Sequence, residues 1–223
     1  MYESDFIEHF KKTPVFSLSD ANQIIKNKNY SKKFLKKMIE QGKVFRIKRG
    51  FYTLYDDPFL VSTFIKMPGY ISGVSALTYH RKITQIPKSV FCITLKKSSK
   101  EFFMEEIIFN QTRHFFGYNT EDYEGFKIPI ADVEKAIIDS LGKVPIHVIE
   151  EAISEINKEK MISYLSKIKE SKIVKRMGYL MEHYNIDIYN EVKEFINYKY
   201  IYLDPLGNRK GIKNKKWGLI INI

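Results

Sequence analysis

The spacing of apolar residues changes character twice along this chain, from helical periodicity to strand alternation near residue 44, and to a mixed pattern after residue 58. Tyr2 to Lys12 reads as a helix that stops before Pro14, because a proline pushes the residue ahead of it out of the helical region. The stretch SLSDANQIIKN offers Ser17 or Ser19 as N-cap ahead of Ala21, Ile24 and Ile25, which predicts a second helix. Asn27 to Asn29 then reads as a turn. A third helix is expected to open at Ser31 and to end at Gly42, a residue suited to the left-handed position that closes a helix. VFRI and FYTL are strands around the tight turn Lys48-Arg49-Gly50.

After DDP at 56–58 the elements are mixed: a helix in GVSALTYH, a strand in VFCITLKK, and strands near EIIFN, RHFFGY and GFKIPI. Helices are expected over about 132–197, and YKYIYL and WGLIINI read as two strands bracketing the polar loop DPLGNRKGIKNKK. No internal repeat or low-complexity linker is present.

The third helix divides sharply. With Lys32 at zero and about 100° per residue, Lys32, Lys33, Lys36, Lys37 and Glu40 fall between roughly 0° and 140°, and Phe34, Leu35, Met38 and Ile39 between roughly 200° and 340°. One face is built to pack and the other to present four ammonium groups. Lys32 and Lys33 are expected in the first turn, where the helix dipole disfavours a cation by about 0.3–1 kcal/mol each. Local stability does not account for them, whereas a phosphate backbone does. A solvated lysine face is the plain alternative. The hairpin decides between the two, because Phe45 and Ile47 alternate with Arg46 and Lys48 and leave one side of the strand basic.

Charge sharpens this picture. The net charge is +11, and residues 26–49 hold ten Lys/Arg against Glu40 alone. Most of the excess is therefore concentrated in one helix and one turn, as an anionic partner requires. Helix, turn, basic helix and basic hairpin together predict a winged helix-turn-helix over residues 1–58, followed by a mixed α/β C-terminal domain over 59–223, in an α+β chain. In that arrangement Lys32, Lys33, Lys36, Lys37, Arg46, Lys48 and Arg49 contact double-stranded DNA, with Asn29, Gln41 and Arg46 placed for base readout.

VFRIKRGFYTL, YISGVSALTYH, IPIADVEKAIIDSL, KRMGYLMEHY, YIYLDPLGNRKG and WGLIINI, taken in order over roughly residues 14–223, resemble the AbiEi-type antitoxin and transcriptional-regulator family of phage-defence toxin-antitoxin loci. The resemblance implies an N-terminal winged helix that binds the operator of its own operon. It also implies a C-terminal domain that counteracts a nucleotidyltransferase-like toxin, with no stable toxin complex required.

The remaining motifs have structural readings. ISGVSALTYH suggests a nucleophile through Ser72, Ser75 and His80, but G-x-S-x-G would need glycine at Leu77, so a serine-capped helix is expected. Asp132 reads as an N-cap with Glu134 in the first turn, and a metal-binding cluster of Asp132, Glu134 and Asp139 is not expected, because helical spacing sets Asp132 and Asp139 far apart. Asp187, Glu191 and Lys193 form D-x₃-E-x-K, the one nuclease-like pattern, on an expected helix. His9, His80, His114, His147 and His183 are scattered, and Cys92 lies alone in an apolar run, so no metal or cofactor is expected. Arg209, Lys210, Lys213, Lys215 and Lys216 make a second basic patch, read as a solvated loop or a further phosphate contact. Gly178 in mid-helix predicts close packing of another element. With no signal peptide, membrane span or disulfide pattern, a cytoplasmic, non-enzymatic DNA-binding regulator is expected, with an RNA-binding regulator and a DNA-targeted nuclease as rivals.

Overall fold

The computed structural model describes residues 3–223 and is a mixed α+β fold. It begins with α1 (Glu3–Phe10), β1 (Phe16–Ser17), α2 (Leu18–Ile25), α3 (Lys28–Glu40), β2 (Phe45–Lys48), β3 (Phe51–Thr53), α4 (Pro58–Ile65), β4 (Gly69–Ile71) and α5 (Gly73–Tyr79). A strand-rich stretch follows, with β5 (Ser89–Thr94), β6 (Ser99–Phe103), β7 (Glu105–Gln111), β8 (Tyr118–Tyr123) and β9 (Phe126–Ala131). The rest is α6 (Val133–Ser140), α7 (His147–Glu150), α8 (Lys158–Ile168), α9 (Ser171–His183), α10 (Tyr189–Val192), β10 (Ile201–Tyr202), β11 (Ile212–Asn214) and β12 (Leu219–Ile221). Tyr2, where the first helix was expected to start, lies outside the described residues.

Two compact units divide the chain. The first takes the chain up to Ile71, Lys88–Gln111 and Thr120–Pro129; the second takes Ser72–Pro87, Thr112–Asn119 and Ile130–Ile223.

Within the first unit, Phe6, Phe10, Phe16, Phe34, Leu35, Met38 and Val44 are buried together, so α1, α2 and α3 share one core with the hairpin. Each such side chain contributes about 1.5–3 kcal/mol by leaving water. Ser17 caps α2 through a reciprocal pair: the Asp20 N–H donates to Ser17 Oγ at 3.1 Å, and the Ser17 N–H donates to Asp20 Oδ2 at 2.7 Å. Strands β2 and β3 pair antiparallel around the two-residue turn Arg49-Gly50, with Gly50 at φ 82°. A third strand that the sequence pattern did not announce, β1, pairs antiparallel with β3. The six-stranded sheet has the order β6-β7-β5-β4-β9-β8, with β5 and β7 parallel and β4 and β6 antiparallel to their neighbours β5 and β7. Cys92 is buried in β5, and burial pushes its thiol up to about 12, which leaves it unreactive at neutral pH.

Three expectations need correction. The third helix opens at Lys28 rather than Ser31: Asn27 Oδ1 accepts the Tyr30 N–H at 3.0 Å, while the Ser31 hydroxyl turns inward and donates to the Asn27 carbonyl at 2.7 Å. RHFFGY is not a strand before Tyr118, since Gly117 takes φ 74° and its carbonyl accepts the Asp132 N–H at 3.0 Å. The loop expected between the last two strands contains a strand of its own, β11, paired antiparallel with β12.

In the second unit, α9 packs on the small sheet β10-β12-β11, with Trp217 fully buried against Gly178, the close approach expected there.

Candidate nucleic-acid interface

Helix α3 carries the charged face that its periodicity predicts. Ser31, Phe34, Leu35 and Met38 are buried, and Lys32, Lys33, Lys36 and Lys37 are exposed. The earlier start changes the electrostatics, because Lys32 and Lys33 now lie beyond the first turn and Lys28 takes its place at the positive end of the helix dipole. No acidic residue offsets that end, since the first turn of α3 contains none. Lys28 and the exposed Tyr30 belong to this helix and were missed because the stretch was read as a turn. The signal was available in Asn27, an N-cap type followed by a helical run.

The four lysines are not equivalent. Lys36 lies 3.8 Å from Glu40, one turn on, where solvent and salt leave little net attraction. Lys37 lies 2.9 Å from Glu3 on α1, and Lys43 pairs with the same carboxylate. Lys32 and Lys33 enter no ion pair among the described residues. In the hairpin, Arg46 and Arg49 are exposed, whereas Lys48 is half-buried, 3.7 Å from Glu101 on β6 and 5.4 Å from the Phe51 ring centroid. Asn29 and Gln41 are exposed at the two ends of α3. Of the seven cations singled out, Lys32, Lys33, Lys36, Arg46 and Arg49 are thus the ones most available to an external anion.

Hydrogen bonds from Lys43 and Lys37 hold the Glu3 carboxyl down at about 2, below its ordinary 4.5. A carboxylate depressed by folding stabilises the fold above its unfolded value, and that contribution disappears as pH falls through the folded one. Glu3→Gln should therefore flatten the loss of stability between about pH 4.5 and about 2, read from urea midpoints across that range. A wild-type slope in the variant would show that the contact is not made in solution.

The other candidate sites come apart. The Ser72 hydroxyl does not cap α5 but donates to Asp139 Oδ2 at 2.8 Å, and His80 is held by the Ala131 carbonyl at 2.8 Å, so the serine and histidine have separate structural partners. Asp132 does cap α6, accepting the Lys135 N–H at 2.9 Å; its other oxygen accepts from the Tyr164 hydroxyl at 2.6 Å. Lys160 lies 3.1 Å from both Asp132 and Glu134, so one ammonium of α8 is shared between these two carboxylates. Asp187 accepts the Tyr189 N–H at 2.9 Å, Glu191 faces Lys158 at 3.6 Å, and Lys193 donates to Asn190 at 3.3 Å. Each member of the nuclease-like pattern therefore faces a different neighbour. Among the described residues no group of three or more His, Cys, Asp or Glu side chains is placed to hold a metal ion. Among the described residues no helix is long and apolar enough to cross a membrane.

The second basic patch is exposed at Arg209, Lys210, Lys213, Lys215 and Lys216, but Lys216 is engaged by Glu182 and by Asp187 at 3.6 Å. Arg209 and Lys213 instead lie over tyrosine rings, Tyr202 at 5.1 Å and Tyr200 at 5.4 Å.

No protein-family model matches this chain, and no curated protein is similar to it. Its fold is similar to the crystal structure of the RV2827C protein from Mycobacterium tuberculosis, with a TM-score of 0.70 over 97% of this chain and 90% of that one. At 9% identity the likeness is one of fold.

Proposed function

We propose that this chain is a DNA-binding transcriptional regulator in which residues 1–58 act as a winged helix-turn-helix and residues 59–223 as an antitoxin-like domain. The observation that carries this reading is the outer face of α3, where Lys32, Lys33 and Lys36 are exposed on a helix whose opposite face is fixed in a core of Phe34, Leu35 and Met38. Such a helix enters the major groove with its lysines on phosphates, while Arg46 and Arg49 of the hairpin reach the neighbouring backbone. Arg46, Asn29 and Gln41 supply the bidentate chemistry that lysine lacks. Lys37 and Lys48 contribute less, since Glu3 and Glu101 already compensate them. The resemblance to AbiEi-type regulators supplies the setting: repression of its own operon in the cytoplasm and counteraction of a nucleotidyltransferase-like toxin, without enzymatic activity of its own.

The test is a salt titration of duplex binding. Affinity should fall with a slope of about −0.9 per phosphate contacted, and Lys33→Ala with Lys36→Ala should flatten the slope by up to about 1.8. An unchanged slope removes α3 from the interface. Glu3→Gln, by releasing Lys37 and Lys43, should steepen it. A preference for structured RNA over duplex at equal salt would favour the RNA-binding rival. Magnesium-dependent cleavage lost in Glu191→Gln would favour the nuclease.

A further inference from the structure

We infer that the outer face of the sheet β10-β12-β11 binds single-stranded nucleic acid by stacking unpaired bases on its tyrosines. The face is defined by register. Tyr202 lies opposite Ile220, and Ile220 opposite Lys213, so the three stand in one row on one side of the sheet. Leu219, the next residue of β12, points the other way and is buried, so the tyrosine row looks outward. Tyr200, two residues before Tyr202, falls on the same side, and Lys213 Nζ lies 5.4 Å from its ring centroid, reaching it across β12. Arg209 stacks over Tyr202 at 5.1 Å, and the Tyr202 hydroxyl donates to the Arg209 carbonyl at 3.0 Å, which fixes the loop that carries the guanidinium. Tyr198, at the bend ahead of this strand, is 88% exposed, and Tyr200 is 40% exposed.

Charge selects the partner. The only acid between residues 198 and 216 is Asp204, which is buried and accepts the Leu206 N–H at 2.8 Å, so the exposed charged side chains of this segment are all cationic. A duplex would need the cations alone, because its base faces are covered by their neighbours. A single strand also offers flat π-faces, and alternating aromatic rings among lysines and arginines match that combination of stacking and phosphate contact. Scattered exposed tyrosines need no explanation, but three at alternate positions with a cation over two of them do. The platform is independent of the α3 lysines, which lie in the first unit.

The experiment uses the full chain carrying Lys33→Ala and Lys36→Ala, so that binding through α3 is weakened. A labelled oligouridylate of about 12 nucleotides, within the usual site size, and a duplex of equal length are titrated at the same salt by fluorescence anisotropy. The single strand should bind more tightly than the duplex. Adding Tyr198→Ala and Tyr200→Ala should weaken it at least about fivefold, while Phe at both positions keeps the affinity, because stacking uses the ring and not the hydroxyl. Equal or tighter duplex binding, no single-strand binding, or tyrosine variants that bind as well as their parent would each overturn the proposal. The phenylalanine variant and an unchanged circular dichroism spectrum separate a lost ring from a lost fold.

Discussion

Asp139→Ala is expected to destabilise the chain by about 3–5 kcal/mol, the cost of removing one side of a buried ion pair. Lys135 is fully buried in α6, and its ammonium donates to Asp139 one turn on, while the second carboxylate oxygen accepts the Ser72 hydroxyl at 2.8 Å. Deleting the carboxylate leaves the Lys135 charge in a low-dielectric interior and removes the acceptor of the Ser72 hydroxyl. The contrast is informative: Lys135→Met combined with Asp139→Leu should cost less than Asp139→Ala alone, because no charge remains to be desolvated. Urea midpoints with unchanged m-values measure both. An Asp139→Ala protein as stable as its parent would mean that water reaches Lys135 freely.

Gly178→Ala is expected to cost about 3 kcal/mol, at the upper end of overpacking effects. A Cβ at this position of α9 would stand 2.1 Å from two ring carbons of Trp217, far inside contact distance. The indole has little room to yield: its Nε1 donates to Glu182 at 2.5 Å, its backbone N–H donates to Asn214 at 3.0 Å, and Tyr189 packs on it edge-on at 5.2 Å. Gly125→Ala is the control. It meets nothing within 4 Å at φ 79°, so it should lose only the left-handed penalty of about 1–2 kcal/mol. A thermal shift that ranks the two equally would refute the close approach.

What local pattern reveals and what it hides follow from the range of each contact. The inward face of α3 was legible because Phe34, Leu35 and Met38 repeat at helical spacing, and Gly178 was legible because a mid-helix glycine has a local cost. The start of α3 was not, because Asn27 and Ser31 are both cap types, and only the inward turn of the Ser31 hydroxyl decides between them. Glu3 compensates lysines more than thirty residues away and Glu101 reaches back to Lys48, so which cations stay available is a tertiary fact. The tyrosines of YKYIYL alternate with other large residues, which hid the outward side of that strand until its register was known. Both units are assembled from separated stretches of chain, and no local periodicity announces such pairings.

The Gly50 carbonyl accepts the Leu18 N–H at 2.9 Å, which ties the tip of the basic hairpin to the first residue of α2. A loop of two residues held this way has few alternative shapes to give up in the proposed DNA complex. Arg49 is therefore presented at a fixed short reach, and if the hairpin contacts DNA as proposed, lengthening this turn would cost affinity through lost preorganisation even though every charge were kept.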